Sequence, residues 1–363
     1  MMPVIQRAIS LAVIILLESA AHAESSNTNA IKNWKSECIG QYQVSVPGVI
    51  EEALDKLTHE WARRFDSYAN GEISPFSKLQ YAGSSNIIYG VSEADFINYK
   101  KTLLINTNKI KQKYLNSSYE NQQKWGSEMK DVLYDTSTFF GWGSEDHSPS
   151  IYYFLDSKIF SFSFTNNDGN DKTLLKKYFD FVLNGFRLRS LYEIPEQKGI
   201  CIPYGFIADD GTTPHNIAVT MRLIDHPDVE IGFQDSTYPE TTVEHGKLSS
   251  GYREPKDAIN SFFNNSGVTN NLEKVEPNFP GYHSIKMDGQ KGGAVFFTII
   301  REDKSKDYGY IAAVKGDDKA GIPSQLLYVI GTASRAKGKP VNKVELKDMA
   351  EKIMASVKKH PVQ

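Results

Sequence analysis

The residues most able to do chemistry in this chain are its eight histidines and two cysteines, and their spacing suits little of it. His215, His226 and His245 form the densest histidine set, but they match neither a helical ligand pair nor a zinc knuckle. His226 precedes Pro227 in a turn-like His-Pro-Asp and reads as a solvated loop residue. Asp209-Asp210-Gly211 invites a calcium reading. A calcium loop needs further oxygen ligands at alternating positions, whereas Thr212, Thr213 and Pro214 follow, so a β-turn is the better reading. The run from Asn166 to Asp171 is rich in oxygen donors but lacks a closing Glu, and reads as a turn with a helix cap. The G-x-S-x-G elbow, H-E-x-x-H, Walker A and G-x-G-x-x-G are all absent. Gly289-Gln290-Lys291-Gly292-Gly293 leads into a strand rather than a helix, which favours a tight turn over a phosphate loop. The residues therefore assign no catalytic group, no cofactor and no metal site.

The elements around them fall into two halves. Tyr42, Val44 and Val46 alternate with polar residues in a strand that ends at Pro47. Ile50, Leu54, Leu57, Trp61 and Phe65 recur at helical spacing. Ser92 with Asp95 marks the start of a second helix through Phe96, Tyr99 and Leu103, with Asn106 to Asn108 as an interruption point. Ile151 to Phe164 reads as a hairpin in which Phe160, Phe162 and Phe164 share a face. The helix after it, Lys172 to Phe186, has an apolar stripe of Leu175, Phe179, Val182 and Phe186, predicted to lie against those phenylalanines. Arg187 and Arg189 fall at its C-terminal end, where the helix dipole favours cations.

The second half opens as the first does. Cys201-Ile202-Pro203-Tyr204-Gly205-Phe206-Ile207 echoes Cys38-Ile39-Gly40-Gln41-Tyr42. It closes on a strand, Leu326 to Ile330, and a helix capped by Asn342 with Glu345. Clustered strands without regular βα alternation predict an α+β fold. We expect two domains, each a mainly antiparallel sheet with helices packed on one face. A distant internal duplication and chance similarity of two α+β domains are equally open.

Arg7, the apolar run from Ile9 to Leu17 and Ala21-His22-Ala23 have the layout of a signal peptide cleaved after Ala23. The run is about half the length a membrane span needs. The expected organisation is a signal peptide at 1–23, a flexible leader at 24–33, an N-terminal domain at 34–193, a C-terminal domain at 194–358 and a tail at 359–363. The chain balances 41 Lys+Arg against 44 Asp+Glu over 363 residues, which argues against a nucleic-acid binder. A composition of 40% hydrophobic and 23% charged residues excludes a disordered chain. An exported product without a membrane span is expected, with its oligomeric state open and a monomer favoured.

Two stretches carry a family resemblance: Cys38 to Tyr42 followed by Val44-Ser45-Val46-Pro47, and Ile194-Pro195-Glu196-Gln197-Lys198-Gly199-Ile200-Cys201 followed by Gly205-Phe206-Ile207. In these, and in layout from about Trp34 to Lys358, the chain resembles the two-domain periplasmic immunity proteins that neutralise type VI secretion phospholipase (lipase) effectors. The resemblance implies a stoichiometric inhibitor in the periplasm, partnered by a cognate lipase effector, with no catalytic residues and no cofactor. An exported enzyme or solute-binding protein with dispersed site residues is the alternative.

Occlusion of an enzyme needs an interface of roughly 1,600 Å² with a few desolvated anchors. Phe139, Phe140, Trp142, Glu145 and Asp146 form one aromatic and acidic run between glycines, and Tyr238 with Glu240 a second. These are the candidate effector-binding residues; a local core lid is the competing reading for Phe139, Phe140 and Trp142. Cys38 and Cys201 are the only cysteines, and an oxidising compartment would let them pair. A bridge and two buried thiols are equally open.

Overall fold

Period-2 patterning in the first half builds hairpins, and the hairpins build its sheet. The computed structural model describes residues 33–52, 54–56, 78–129, 134–142, 149–164, 172–237, 241–244, 247–250, 256–257, 259–260, 272–317 and 320–360. Strands Ser150–Leu155 and Lys158–Phe164 pair antiparallel, joined at Asp156 and Ser157, both with positive φ (49° and 53°), as a two-residue hairpin turn requires. Gly83–Tyr89 pairs on one side of this hairpin and Phe139–Trp142 on the other. The alternation then sorts side chains by face. Phe139, Tyr153, Phe160 and Phe162 point one way; Phe140, Tyr152 and Ile159 point the other.

Helices cover both of these faces. Helix α1 (Glu93–Leu115) starts at a reciprocal capping box: the Asp95 N–H donates to the Ser92 hydroxyl and the Ser92 N–H to the Asp95 carboxylate. It runs on unbroken through Asn106 to Asn108. Its Phe96 and Tyr99 pack with Phe140, Tyr152 and Ile159. A shorter helix, α2 (Glu120–Glu128), folds back on α1, with the Tyr114 and Trp125 rings edge to face. Helix α3 (Lys172–Gly185) takes the opposite face, where Leu175, Phe179 and Val182 are buried. Phe179 meets the Phe164 ring at 5.9 Å, and the Tyr153 hydroxyl donates to the Val182 carbonyl. Phe186 opens the strand Phe186–Leu188 and packs on Phe160 and Phe162.

Two local expectations are corrected. Ile50 sits in a short strand, Ile50–Glu52, that pairs with Met221 to Leu223; helical spacing over so few positions yields to a sheet edge offering backbone partners. Leu57, Trp61 and Phe65 lie outside the described residues, as does the run from Asn166 to Asp171. Arg187 is in the strand after α3 and Arg189 just beyond it, so neither caps the helix dipole.

In the second half His215–Leu223, Val229–Ser236, Ser324–Gly331, Lys306–Val314 and Gln290–Arg301 pair in that order, all antiparallel. Gln290–Arg301 also pairs with Leu272–Pro277 and His283–Met287. Met287 turns to Gln290 through Asp288 and Gly289, both at positive φ, so the glycine-rich run is a hairpin turn. Val295, Phe297, Ile299, Ile311, Tyr328 and Ile330 form the core on one face. Helix α4 (Lys343–Ser356), capped by Asn342 and Glu345, buries Leu346, Met349, Ala350 and Ile353. Its Met354 sulfur meets the Tyr310 hydroxyl on the sheet's other face.

The class is α+β with mainly antiparallel sheet. One 15-stranded sheet runs through both halves, because His215–Leu223 pairs with Lys78–Tyr81, His215 facing Tyr81. A repeat of one domain plan is not confirmed. Among the described residues no helix is long and apolar enough to cross a membrane.

Candidate functional site

The cysteine-bearing strands of the two halves meet. Cys38 and Cys201 are joined by a disulfide, with Cα atoms 5.7 Å apart. Beside it Gly40 and Cys201 exchange two backbone hydrogen bonds, of 2.8 and 2.9 Å. Arg189 closes the other side. Its guanidinium lies 2.5 Å from the Glu37 carboxylate, both side chains fully buried, and donates to the carbonyls of Cys38, Ile202, Gly205, Ser190 and Glu193. Glu37 also accepts from the Tyr192 N–H at 2.6 Å, and the Tyr192 hydroxyl accepts from the Ile50 N–H. Glu52 lies near this pair, buried, with neither carboxylate oxygen hydrogen-bonded. Burial, then repulsion from Glu37, raises its pKa to about 8, against the pull of Arg189. This polar seam fixes the opening strand of the first half against that of the second.

A second buried network lies one step along the sheet. Asp235 accepts from the Gln41 N–H at 2.6 Å and lies 3.0 Å from His215 Nε2. The other ring nitrogen of His215 is 2.9 Å from the Thr213 carbonyl. Burial alone would depress the His215 pKa, but the Asp235 charge and hydrogen bond outweigh it and the net shift is upward. A His–Asp pair can serve general-base catalysis only if the second nitrogen faces a substrate. Here both nitrogens are engaged and the residue is fully buried, so its chemistry is structural. Tyr81 donates to Asp209, and Asp209 accepts from the Gly211 N–H at 2.6 Å. Gly211 has φ 74°, and Asp210 accepts from the Thr212 N–H and hydroxyl. These are the bonds of a turn.

A groove of about 510 Å³ runs beside α3, lined by Lys177, Asp180, Phe181 and Ala208 among others. Its charges are committed to ion pairs: Lys176 with Asp180 at 3.0 Å and Lys177 with Asp210 at 2.7 Å. Burial pushes the Asp210 carboxyl up, but its bonds to Lys177 and Thr212 prevail and hold it at about 2. Among the described residues no cysteine, serine or histidine lines this groove.

The sequence-predicted contact residues are placed unevenly. Phe139 to Trp142 form a strand, although their sequence shows no strand period, because aromatic cross-strand neighbours accommodate them: Phe139 lies 4.8 Å from the Tyr153 ring and Phe140 5.9 Å from Tyr152. Phe140 is fully buried and Phe139 half-buried, so Phe140 has no surface to offer a partner. The backbone of Trp142 pairs with Ser150. Glu145, Asp146, Tyr238 and Glu240 lie outside the described residues, as does His245. Sequence reasoning gave no role to Glu37, Glu52 or Asp235 and placed Arg189 at a helix end. The available signal was position alone: Glu37 adjoins Cys38, and Arg189 follows the helix predicted over Lys172 to Phe186.

Residues 193–350 match the family model described as the Tle cognate immunity protein 4 C-terminal domain. The resemblance drawn from the sequence is thereby shown for this segment. No curated protein matches the chain. Among solved structures, the immunity protein TplEi of the type VI secretion system from Pseudomonas aeruginosa, complexed with "L" peptide, shares the fold at TM-score 0.54 and 13% identity. That match covers 91% of this chain and 99% of the other. The Tle4–Tli4 complex contains a chain matched at TM-score 0.52 and 14% identity, covering 91% and 98%.

Proposed function

We propose that this protein is a periplasmic immunity protein that binds a type VI secretion lipase effector and inhibits it by occlusion, protecting the cell that makes it. The observation that carries this reading is the match of residues 193–350 to an immunity-protein domain. It is supported by a shared fold, over nine-tenths of the chain, with a protein solved in a Tle4–Tli4 complex. The charged chemistry of the interior agrees with it, since Glu37, Arg189, His215 and Asp235 are spent on holding strands together. In this reading the protein is a stoichiometric inhibitor and not a catalyst. It is exported by the signal peptide ending at Ala23 and divided near residue 193, where the family match begins. Trp142, Glu145, Asp146, Tyr238 and Glu240 are its proposed effector contacts, with Phe139 at their edge.

The test is expression of the lipase encoded beside this gene, directed to the periplasm of a susceptible host, with and without this protein. Survival only of the strain that also makes this protein is the expected result. Equal killing in the two strains would overturn the immunity reading.

A further inference from the structure

The turn between strands Leu272–Pro277 and His283–Met287 carries a side chain that the fold does not use. Phe279 is 98% exposed, the most exposed large apolar residue among those described. A core phenylalanine stabilises by burial; this one buries nothing, yet the turn beneath it is firmly held. The Asn278 N–H donates to the Phe296 carbonyl at 2.8 Å, and the Gly281 N–H to the Asn278 carbonyl at 2.6 Å. The Asn278 side-chain oxygen accepts from Lys343 at 2.8 Å and from Thr298 at 3.2 Å. On the far side His283 Nδ1 lies 3.1 Å from the Gly281 carbonyl, and the Tyr282 hydroxyl donates to Asn260. Gly281, at φ 78°, lets the chain reverse without strain.

The surroundings of Phe279 give its partner a chemistry. Tyr282 is exposed alongside it, and Val344, next to Lys343, is 67% exposed. Two lysines reach this turn: Lys343 on Asn278, and Lys256 over the Tyr282 ring at 5.3 Å. Of the acids close in sequence to these groups, Glu276 pairs with Lys274 at 2.6 Å and Glu345 accepts from the Asn342 N–H. The face is therefore an aromatic knob on a pre-ordered turn with a cationic rim. Interface hot spots have this form: an aromatic anchor surrounded by groups that exclude water. Pre-ordering the turn removes part of the entropy lost on binding.

We propose that Phe279 is an anchor for the effector, entering an apolar cleft whose rim carries carboxylates that meet Lys256 and Lys343. An enzyme that hydrolyses acyl lipids must offer an apolar cleft to the acyl chain, and a benzyl group held clear of its own protein fits one. The proposal rests on the immunity reading above.

The experiment measures binding of the purified mature protein to the purified lipase from the adjacent gene, for wild type, Phe279→Ala, the pair Lys256→Glu/Lys343→Glu, and Tyr119→Ala as a control at a distinct exposed aromatic on the loop before α2 (66% exposed). We expect Phe279→Ala to weaken affinity by about 30-fold or more with an unchanged melting temperature. The double lysine variant should slow association, and Tyr119→Ala should bind as wild type does. Full affinity in Phe279→Ala, with wild type binding normally, overturns the anchor and leaves the immunity reading standing. Failure of wild type to bind that lipase overturns both. Equal losses in Phe279→Ala and Tyr119→Ala would also overturn the anchor.

Discussion

Replacing Arg189 by Met should be among the most damaging single changes in this protein. The guanidinium is fully buried against a fully buried Glu37, and it donates to five backbone carbonyls on both sides of the disulfide. Methionine approximates the volume of the arginine stem, so packing is largely kept. What is lost is the counter-charge, and removing one partner of a buried ion pair costs about 3–5 kcal/mol. The carbonyl bonds are long, at 3.1 to 3.4 Å, and add about 1–2 kcal/mol together. The expected loss is therefore about 4–7 kcal/mol, against a total stability on the order of 5–15 kcal/mol. Urea unfolding at neutral pH, with the disulfide intact, reads it as a shift of midpoint at constant slope. Adding Glu37→Gln should recover a large part of the loss, because an amide costs far less to bury than a lone carboxylate. A loss below about 1 kcal/mol in Arg189→Met, or no recovery in the double variant, would refute the view that this pair holds the seam.

Three further outcomes follow from the same region. Gly40→Ala should cost about 2–4 kcal/mol in urea unfolding, since Gly40 has φ 59° and a Cβ there would come within 2.2 Å of the Asp235 carboxylate; a neutral effect would show that the contact relaxes freely. Replacing both Cys38 and Cys201 by Ala opens a loop spanning 163 residues and should lower stability by about 5 kcal/mol in the chain-entropy model; wild type measured with and without reductant gives the comparison, and equal midpoints would contradict it. Glu52 keeps its proton up to about pH 8 when folded and loses it near 4.5 when unfolded, so wild-type stability should fall as pH rises between those values and level off above them. Glu52→Gln should flatten that decline in urea midpoints taken at pH 5 and pH 8.5; an unchanged slope would place its cause elsewhere.

Local signals in the chain were legible and long-range ones were not. The Ser92–Asp95 and Asn342–Glu345 caps, the hairpin around Asp156 and the buried stripe Leu175, Phe179, Val182 depend on neighbours within a few residues, which periodicity and capping chemistry report directly. The pairing of Lys78–Tyr81 with His215–Ala218 joins segments far apart in sequence, and nothing in either strand names its partner. Ile50 shows the competition: its apolar spacing reads as helix, and an available edge at Met221 to Leu223 makes it strand. Phe139 to Trp142 fail as a strand by period and succeed by cross-strand aromatic contact. Arg189 was read from its place after an apolar stripe as a cation at a helix C-terminus. Its burial depends on Glu37, more than a hundred residues earlier, and a charge is buried only where a partner exists. Phe279 gave no sequence signal, because exposure is a property of the folded neighbourhood.

The division between interior and surface bears on the inhibitory reading. A stoichiometric inhibitor gains affinity by holding its contact groups in the bound geometry before the encounter, since each group ordered on binding subtracts from the free energy of association. This chain places ion pairs and a disulfide where its two opening strands meet, and its His–Asp pair on adjacent central strands beside them. Those interactions commit Glu37, Arg189 and both ring nitrogens of His215 to holding strands together. They also tie together a sheet whose far strands end in the Phe279 turn. The turn is in turn held by a backbone bond to Phe296 and by Lys343 of α4. A buried charge pair often contributes less stability than an apolar equivalent would. Its directional bonds set the register of the strands it joins, and for a protein that works by shape, register is the property that positions the surface.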